Sequence, residues 1–171
     1  MLEKAEKLLD CCEIKQAIYN CAKQLAKQIN PSKQYTVIVL MNGAFKFAAD
    51  LLSNIALQQF NFEIHFVKTT RKQDANKFIL ETDFELLQQI CKNKDVIVID
   101  DVYDSGTTIL TLNKQLKDIT KSLLFVVLLA KTKPVIDNIL VAQYVETNKW
   151  LFGYGMDYEN KYRHLNSIYA I

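Results

Sequence analysis

The amino-acid sequence predicts an α/β protein with a central parallel sheet and helices packed on it. Three runs of apolar residues, at 35–41, 96–99 and 123–129, indicate strands. They lack the alternation of a strand with one solvated face, so they are typical of strands that are buried on both faces. Segments with apolar residues three and four positions apart lie between the runs, as the crossover connections of parallel strands require.

The other elements are predicted from the three- and four-residue spacing of apolar residues in helices and from their two-residue alternation in strands. A polar segment at 69–77 shows neither pattern. Helical spacing continues from residue 2 to residue 29, where Asn30 and Pro31 end it. In chain order the sequence predicts helix 2–29, strand 35–41, a helix carrying Phe47, Ala48, Leu51, Leu52 and Ile55, strand 62–68, helix 84–91, strand 96–99, a helix carrying Leu112, Leu116 and Ile119, and strands 123–129, 138–145 and 168–171.

Composition excludes several classes of protein. A chain of 171 residues fits one domain with a substantial core, and a net charge of +2 provides no bulk attraction to nucleic acid or to a membrane surface. No apolar run is long enough to span a bilayer, and the first residues lack the apolar stretch of a signal peptide. The four cysteines have no metal-site spacing, which favours reduced thiols. We expect a single cytoplasmic domain over 1–171, with neither nucleic acid nor a membrane as partner.

Three carboxylates mark the end of the central strand. Asp100 and Asp101 follow the run at 96–99, and Asp104 lies in the next turn. A single Asp here would be an ordinary turn or cap residue, whereas three after a buried strand favour a function. They could bind sugar hydroxyls, hold Mg²⁺ directly or through water, or accept a proton.

The same turn has the composition of a phosphate site. Turns between strand and helix lie at the carboxyl edge of an open α/β sheet, where ligands bind, and the first N–H groups of the helix point outward. Hydroxyl side chains and a glycine that allows close approach complete a cradle for an anion. A phosphate beside three acids indicates a ligand with a phosphate, a diol and a metal ion, such as a phosphorylated ribose. The residues of this cradle are Ser105, Gly106, Thr107 and Thr108.

The segment 96–110 resembles the phosphoribosyl-diphosphate (PRPP) motif of type I phosphoribosyltransferases at every fixed position. The shared pattern is an apolar strand, two acids, two residues, an acid, a small hydroxyl residue, Gly, a variable residue and Thr. A second block, 148–165, resembles the carboxyl-terminal hood of the hypoxanthine–guanine type. The resemblance implies the phosphoribosyltransferase fold, in which a small hood, formed here by about residues 1–12 and 146–171, covers the parallel sheet. The family often begins with a short extended segment, which conflicts with the helical spacing of the first ten residues.

The resemblance also implies roles for residues that contact the base and the pyrophosphate. Lys131 is similar to the lysine that donates to the 6-oxo group of a purine, although a lysine in a loop is more often a solvated charge. Trp150 would stack on the purine, unless it is a core or lid residue. The backbone of Leu151 would read the base edge, Asp157 would bind Mg²⁺, and Arg163 would meet the pyrophosphate.

Two further segments correspond to loops of the family. The turn of Asn42 and Gly43 takes the place of the loop that holds pyrophosphate, although the family usually has a basic residue before the Gly. Thr69 and Thr70 stand where a mobile loop of the hypoxanthine–guanine type usually has Ser-Tyr. The alternatives are a plain strand-to-helix turn and a hairpin tip with solvated charges.

The function implied is transfer of phosphoribose from PRPP to a 6-oxopurine, giving a nucleoside monophosphate and pyrophosphate, with Mg²⁺ as cofactor. Asp104 would be the general base that takes the N7 proton, while Asp100 and Asp101 would hold the ribose hydroxyls and Mg²⁺. Lys131 would favour hypoxanthine and guanine over adenine, because two donors facing each other are unpaired. A homodimer or homotetramer is also implied by the resemblance. Alternatives are a xanthine-preferring enzyme, a regulator of the same fold that senses PRPP or nucleotides, and an orotate or uracil enzyme, against which the block 148–165 argues.

Overall fold

The structure is a computed structural model that describes residues 4–54, 59–74 and 77–171, with the backbone alone for 71–74 and 77–79. Within these residues the chain forms ten strands and four helices. In order they are β1 (Glu6–Leu9), α1 (Cys11–Gln28), β2 (Gln34–Met41), α2 (Phe45–Leu52), β3 (Asn61–Lys68), β4 (Thr70–Asp74), β5 (Lys77–Glu81), α3 (Phe84–Cys91), β6 (Asp95–Tyr103), α4 (Thr107–Leu116), β7 (Ser122–Ala130), β8 (Ile139–Tyr144), β9 (Leu151–Phe152) and β10 (Ile168–Ala170).

Five strands form the central sheet in the order β3-β2-β6-β7-β8, and every neighbouring pair is parallel. Each of β2, β6 and β7 has six consecutive buried residues, which is why their sequences read as unbroken apolar runs. One face of the sheet packs with α1 and α2, through residues such as Ile14 and Phe47. The other face packs with α3 and α4, through residues such as Leu87 and Leu112. The predicted fold class is therefore confirmed.

A smaller antiparallel sheet joins the two ends of the chain in the order β1-β10-β9. It includes residues from both segments that were expected to build the hood. An ion pair between Glu6 and Lys149, 2.9 Å apart, also links the two segments. That residues 1–171 form a single domain, with the hood as part of it, stays a proposal.

Of the two structures left open for the first ten residues, a helix and an extended segment, the extended one is found at residues 6–9. Residues 6–9 form β1, and α1 begins only at Cys11. The Asp10 side chain accepts hydrogen bonds from the backbone N–H groups of Cys12 and Glu13, and the Glu13 side chain accepts one from the Asp10 N–H. This reciprocal capping box fixes the start of the helix, and the apolar residues before it pair with β10 instead.

The described part of the polar segment at 69–77 contains β4 and the first residue of β5, and these two strands pair in antiparallel fashion. Among the other predictions, helix 84–91 has the observed bounds of α3. The helix predicted to reach Ile55 ends at Leu52, and Ile55 lies outside the described residues.

All four cysteines are free; burial raises the pKa of Cys21 to about 12 and that of Cys91 to about 11, so both stay thiols near neutral pH. In the described chain, no helix has the length and apolar character needed to cross a membrane.

Candidate active site

A cleft of about 400 Å³ opens at the carboxyl ends of β2, β6 and β7, beneath the segment that follows β8. This is the edge where open α/β sheets bind ligands, because the strand-to-helix turns gather there. The cleft brings together residues that lie more than a hundred positions apart in the chain. Of the residues predicted to form the site, those that line it are Asn42, Gly43, Asp100, Asp101, Asp104, Thr108, Lys131, Trp150, Leu151, Asp157 and Arg163.

Local hydrogen bonds orient the two carboxylates at the end of β6. The Asp100 side chain is buried and accepts a hydrogen bond from the N–H of Asp101 at 3.0 Å, and the Asp101 side chain accepts one from Val102 at 2.8 Å. A Cβ at Gly43 would lie 1.6 Å from Oδ2 of Asp101. The turn after β2 can therefore contact this carboxylate only because position 43 has no side chain.

Asp104 and Lys131 meet within the cleft. Lys131 follows β7 directly, and its Nζ lies 3.2 Å from Oδ2 of Asp104 and 2.9 Å from the carbonyl oxygen of Lys149. The lysine side chain is only 9% exposed, whereas that of Asp104 is half exposed. The Thr132 hydroxyl donates to the backbone carbonyl of Asp104 at 3.1 Å and so fixes the turn. An accessible carboxylate beside a nearly buried cation can accept a proton from a ligand, while the cation donates to an oxygen.

The amino-terminus of α4 adjoins this site, and its residues could bind an anion. Gly106 is the N-cap and has a left-handed backbone with φ of +79°, which places no side chain over the first turn. The hydroxyls of Ser105 and Thr107 lie 2.9 Å apart beside it. These residues do not line the cleft themselves, but they lie between Asp104 and Thr108, which do. The arrangement suits a phosphate at the side of the cleft.

Trp150 stands at the mouth of the cleft with 60% of its surface exposed. Its Nε1 donates to the carbonyl oxygen of Asp157 at 2.8 Å. The backbone N–H and C=O of Trp150 both pair with Ile171 at 3.0 Å, and the next residue, Leu151, begins β9. The indole is thus fixed in orientation at the cleft while more than half of its residue surface stays exposed, which suits a planar ligand.

Asp157 and Arg163, which also line the cleft, form an ion pair. Their side chains approach to 2.7 Å, and each is about a quarter exposed, at 28% and 26%. Asp157 also accepts a hydrogen bond from the N–H of Asn160 at 2.8 Å, and Arg163 donates to the carbonyl oxygen of Gly155 at 2.9 Å. The hood thus presents an anchored carboxylate next to an anchored cation.

Comparison with known proteins identifies the family. A family model of the phosphoribosyl transferase domain matches residues 5–159. The chain belongs to this family. A hypoxanthine phosphoribosyltransferase of Escherichia coli K12 is 28% identical over 176 residues, covering 98% of this chain and 96% of the relative. A hypoxanthine-guanine phosphoribosyltransferase of Dictyostelium discoideum is 25% identical over 158 residues, covering 90% of this chain and 87% of the relative.

Solved structures give the same result. A hypoxanthine-guanine phosphoribosyltransferase of Bacillus anthracis has a TM-score of 0.77 at 26% identity, with 96% of this chain and 95% of that chain covered. A Trypanosoma cruzi hypoxanthine phosphoribosyltransferase variant, in a ternary substrates complex, has a TM-score of 0.78 at 25% identity and covers 99% and 96%. The predicted family is therefore confirmed.

Some residues of this phosphoribosyltransferase cleft had no signal in the sequence analysis. Met156 and Asn160 line the cleft, and the carbonyl oxygen of Lys149 holds Lys131. Asn160 has φ of +61°, a conformation that Asn tolerates better than most residues, so an Asn after Glu159 was the available hint of a tight turn. A backbone carbonyl has no signature in sequence, so the contact at Lys149 required the structure.

Proposed function

We propose that this phosphoribosyltransferase is a purine salvage enzyme. It converts hypoxanthine, and guanine as a second substrate, plus PRPP to IMP or GMP and pyrophosphate. The observation that carries the proposal is the pairing of Lys131 with Asp104 at 3.2 Å beside the exposed face of Trp150. The cleft thus has a donor, an acceptor and a flat apolar surface, which are the groups that a 6-oxopurine requires.

The base is bound by three residues. Trp150 stacks on the purine ring, and Lys131 donates to its 6-oxo oxygen through the third N–H of its ammonium, since Asp104 and Lys149 accept from two. The backbone of Leu151 reads the opposite edge of the ring. An adenine 6-amino group would face the lysine with a second donor and leave both groups unpaired.

PRPP is bound along the other side of the cleft. Asp100 and Asp101 hold the ribose hydroxyls at the end of β6. The pyrophosphate lies against the turn of Asn42 and Gly43 and against Arg163. Asn42 supplies a neutral side chain where the family usually has a cation, so Arg163 is the cation assigned to the pyrophosphate. The 5′-phosphate is held by Ser105, Gly106, Thr107 and Thr108.

Catalysis rests on position and electrostatics. Asp104 accepts the N7 proton of the purine as N9 bonds to the anomeric carbon of the ribose and the pyrophosphate departs. The charged groups of the cleft stabilise positive charge on the ribose and negative charge on the pyrophosphate.

Mg²⁺ suits the carboxylates of this cleft. No group of three or more His, Cys, Asp or Glu residues that could hold a metal occurs in the described part of the chain. Mg²⁺ nevertheless commonly binds through one or two carboxylates and completes its shell with water and substrate phosphates. Asp100 and Asp101 at the ribose, and Asp157 at the pyrophosphate, would supply those carboxylates. The ion would neutralise charge on the pyrophosphate, and it would share Asp157 with Arg163.

We further propose that residues 1–171 act as one domain, that the protein works in the cytoplasm, and that it forms a homodimer or homotetramer. Its partners would be the substrates and products of the reaction, with neither nucleic acid nor a membrane among them. A preference for xanthine is the alternative substrate assignment, since an additional oxo group would be read by backbone near Leu151.

The experiment that tests this function is product formation from PRPP and Mg²⁺ with hypoxanthine, guanine, xanthine and adenine offered separately. We expect turnover of the first two and none of adenine. Asp104→Asn should lower kcat by about 10²-fold or more, in the range typical of a lost general base. Asp118→Asn is the matched control, because Asp118 is an exposed acid just beyond α4. No turnover of any purine by a protein that still binds PRPP would refute the enzyme assignment and favour the regulator.

A further inference from the structure

The segment that carries Asp157 and Arg163 is fastened to α2 by a lysine. Lys46 lies in the first turn of α2, and its Nζ donates to Oδ1 of Asn166 at 2.8 Å and to the carbonyl oxygen of Leu165 at 3.2 Å. The same ammonium lies 4.9 Å from the centre of the Tyr154 ring, within the range of a cation–π contact. One side chain of α2 thus contacts both ends of the loop 154–166.

A second contact joins the same elements. The hydroxyl of Tyr154 donates to the Asp50 carboxylate, one turn further along α2. Tyr154 is buried, and burial together with the Asp50 carboxylate raises the pKa of its phenol well above the ordinary value. The phenol therefore stays protonated and remains a donor. We call Lys46, Asp50 and Tyr154 the α2 brace.

The α2 brace lies next to the pyrophosphate side of the cleft. Helix α2 begins directly after the turn of Asn42 and Gly43. A Cβ on Gly155 would lie 2.4 Å from the carbonyl oxygen of Gly43, so the loop contacts this turn backbone to backbone. Gly155 also exchanges hydrogen bonds of 2.9 Å with Arg163, through its N–H and its C=O. Any shift of the loop on α2 would move Arg163 relative to Gly43.

The base side of the cleft is held by different contacts. Trp150 is fixed by its two backbone hydrogen bonds to Ile171, and Lys131 is fixed by Asp104 and by the carbonyl oxygen of Lys149. None of these hydrogen bonds involves α2. The base side meets the loop 154–166 through the hydrogen bond from Nε1 of Trp150 to the carbonyl oxygen of Asp157, at 2.8 Å. Lys131 and the backbone of Trp150 are anchored to other parts of the molecule.

We propose that Lys46 is a positioning residue for pyrophosphate, which sets the distance between Arg163 and the Gly43 turn through the α2 brace. This inference rests on the proposed function, since it assigns the pyrophosphate of PRPP to those two groups. Lys46 touches no substrate. Its ammonium acts only through the loop 154–166, so its loss weakens the binding of PRPP more than that of the base, which depends on this loop only through the hydrogen bond from Trp150 to Asp157.

Steady-state kinetics of Lys46→Met tests the inference, because methionine keeps most of the apolar stem and removes the charge. We expect the KM for PRPP to rise about tenfold, a factor that corresponds to losing part of the hydrogen bonding of a charged donor. The KM for hypoxanthine should change by less than about twofold, since Lys131 and the backbone of Trp150 keep their contacts. Lys46→Arg should restore most of the affinity for PRPP, because a guanidinium can still reach both acceptors.

Lys23→Met is the matched control. Lys23 lies on α1 with its Nζ 4.2 Å from the centre of the Tyr19 ring, so it loses a similar contact far from the cleft. Both KM values should stay at the wild-type level. If Lys46→Met does not fold, Asn166→Ala removes the acceptor that is 2.8 Å away and should raise the KM for PRPP in the same selective manner.

Three results would overturn the inference while the proposed function stands. They are an unchanged KM for PRPP in the substituted protein, an equal rise of both KM values, and a lowered melting temperature without any kinetic change. If wild-type protein turns over no purine, the proposed function fails separately, and calorimetric titration with Mg²⁺ and pyrophosphate then decides the inference. In that titration, equal affinity of wild type and Lys46→Met, or no binding by either, would overturn it.

Discussion

At the scale of single residues, the contact between Gly43 and Asp101 shows how closely the cleft is built. A Cβ at position 43 would lie 1.6 Å from Oδ2 and 2.6 Å from Cγ of Asp101, so the carboxylate would have to move. The obstruction is a side chain rather than backbone, and it can rotate away at modest cost. We expect Gly43→Ala to lower kcat/KM for PRPP by about 10²-fold, as expected when a positioning group is displaced by about an ångström.

The melting temperature separates this effect from unfolding, and we expect it to change little in Gly43→Ala. Gly153→Ala is the contrasting variant. Its Cβ would lie 2.2 Å from the backbone carbonyl oxygen of Ser167, at a φ of +92°, so it should lower the melting temperature clearly. Full activity of Gly43→Ala would show that the close approach has no role in binding PRPP.

At the scale of elements, α4 illustrates a helix whose first turn is shaped for a ligand. Its N-cap, Gly106, has no side chain, and the hydroxyls of Ser105 and Thr107 flank the opening. Thr107→Val keeps the shape of the side chain and removes the hydroxyl, so we expect about tenfold weaker binding of IMP. At a concentration of 100 times the wild-type Kd, IMP should stabilise the wild type by about 2.7 kcal/mol and the variant by about 1.4 kcal/mol.

Thermal unfolding with and without IMP measures this difference. Thr111→Val, one turn further along α4, is the control and should retain the full stabilisation. If Thr107→Val also retained it, the phosphate would have to lie elsewhere in the cleft.

The elements differ in how well their sequences predict them, for a physical reason. Strand β6 and the turn after it are local features: six buried residues, a row of acids and a glycine define them without reference to the rest of the chain. Strand β1 is different, because Leu8 and Leu9 have helical spacing to later residues and become extended only by pairing with β10. The pair of Asp10 and Glu13 was the local signal that the helix begins at Cys11.

The residues of the candidate site likewise differ in whether the local sequence predicts their position. Lys131 and the acids after β6 follow buried strands, so a parallel sheet alone places them at one edge. The orientation of Trp150 depends on Ile171 and Asp157, and the loop of Arg163 depends on α2. These tertiary contacts join residues with no common local pattern, so their geometry had to come from the structure.

At the scale of the whole molecule, the carboxyl and amino ends of the strands in the central sheet have different roles. The carboxyl edge gathers acids, hydroxyls and cations around an open cleft. At the opposite, amino-terminal ends of the strands, the described residues include a buried carboxylate, Asp95, at the start of β6. It accepts hydrogen bonds from the Ser122 hydroxyl at 2.5 Å and from Nζ of Lys33 at 3.1 Å. Asp95 thereby ties the first residues of β6 and β7 to the loop before β2 and holds the sheet in register away from the site.

This tie predicts how stability depends on pH. The hydrogen bond from Ser122, with that from Lys33, lowers the pKa of Asp95 in the folded state despite its burial. The unfolded chain has a pKa of about 3.9 for this group. The stabilisation is therefore complete above about pH 4 and is lost as pH falls through the lower folded-state pKa. We expect Asp95→Asn to lower the free energy of unfolding by about 2 kcal/mol at pH 7.

Urea unfolding at a series of pH values checks this sign. The wild-type free energy of unfolding should fall more steeply than that of Asp95→Asn below about pH 4, so that the two curves converge in acid. Asp118→Asn, which alters an exposed acid, should follow the wild type throughout. Parallel curves for wild type and Asp95→Asn would mean that the carboxylate is not stabilised by its charge. The tie at this edge would then depend on shape and on hydrogen bonds that an amide can also make.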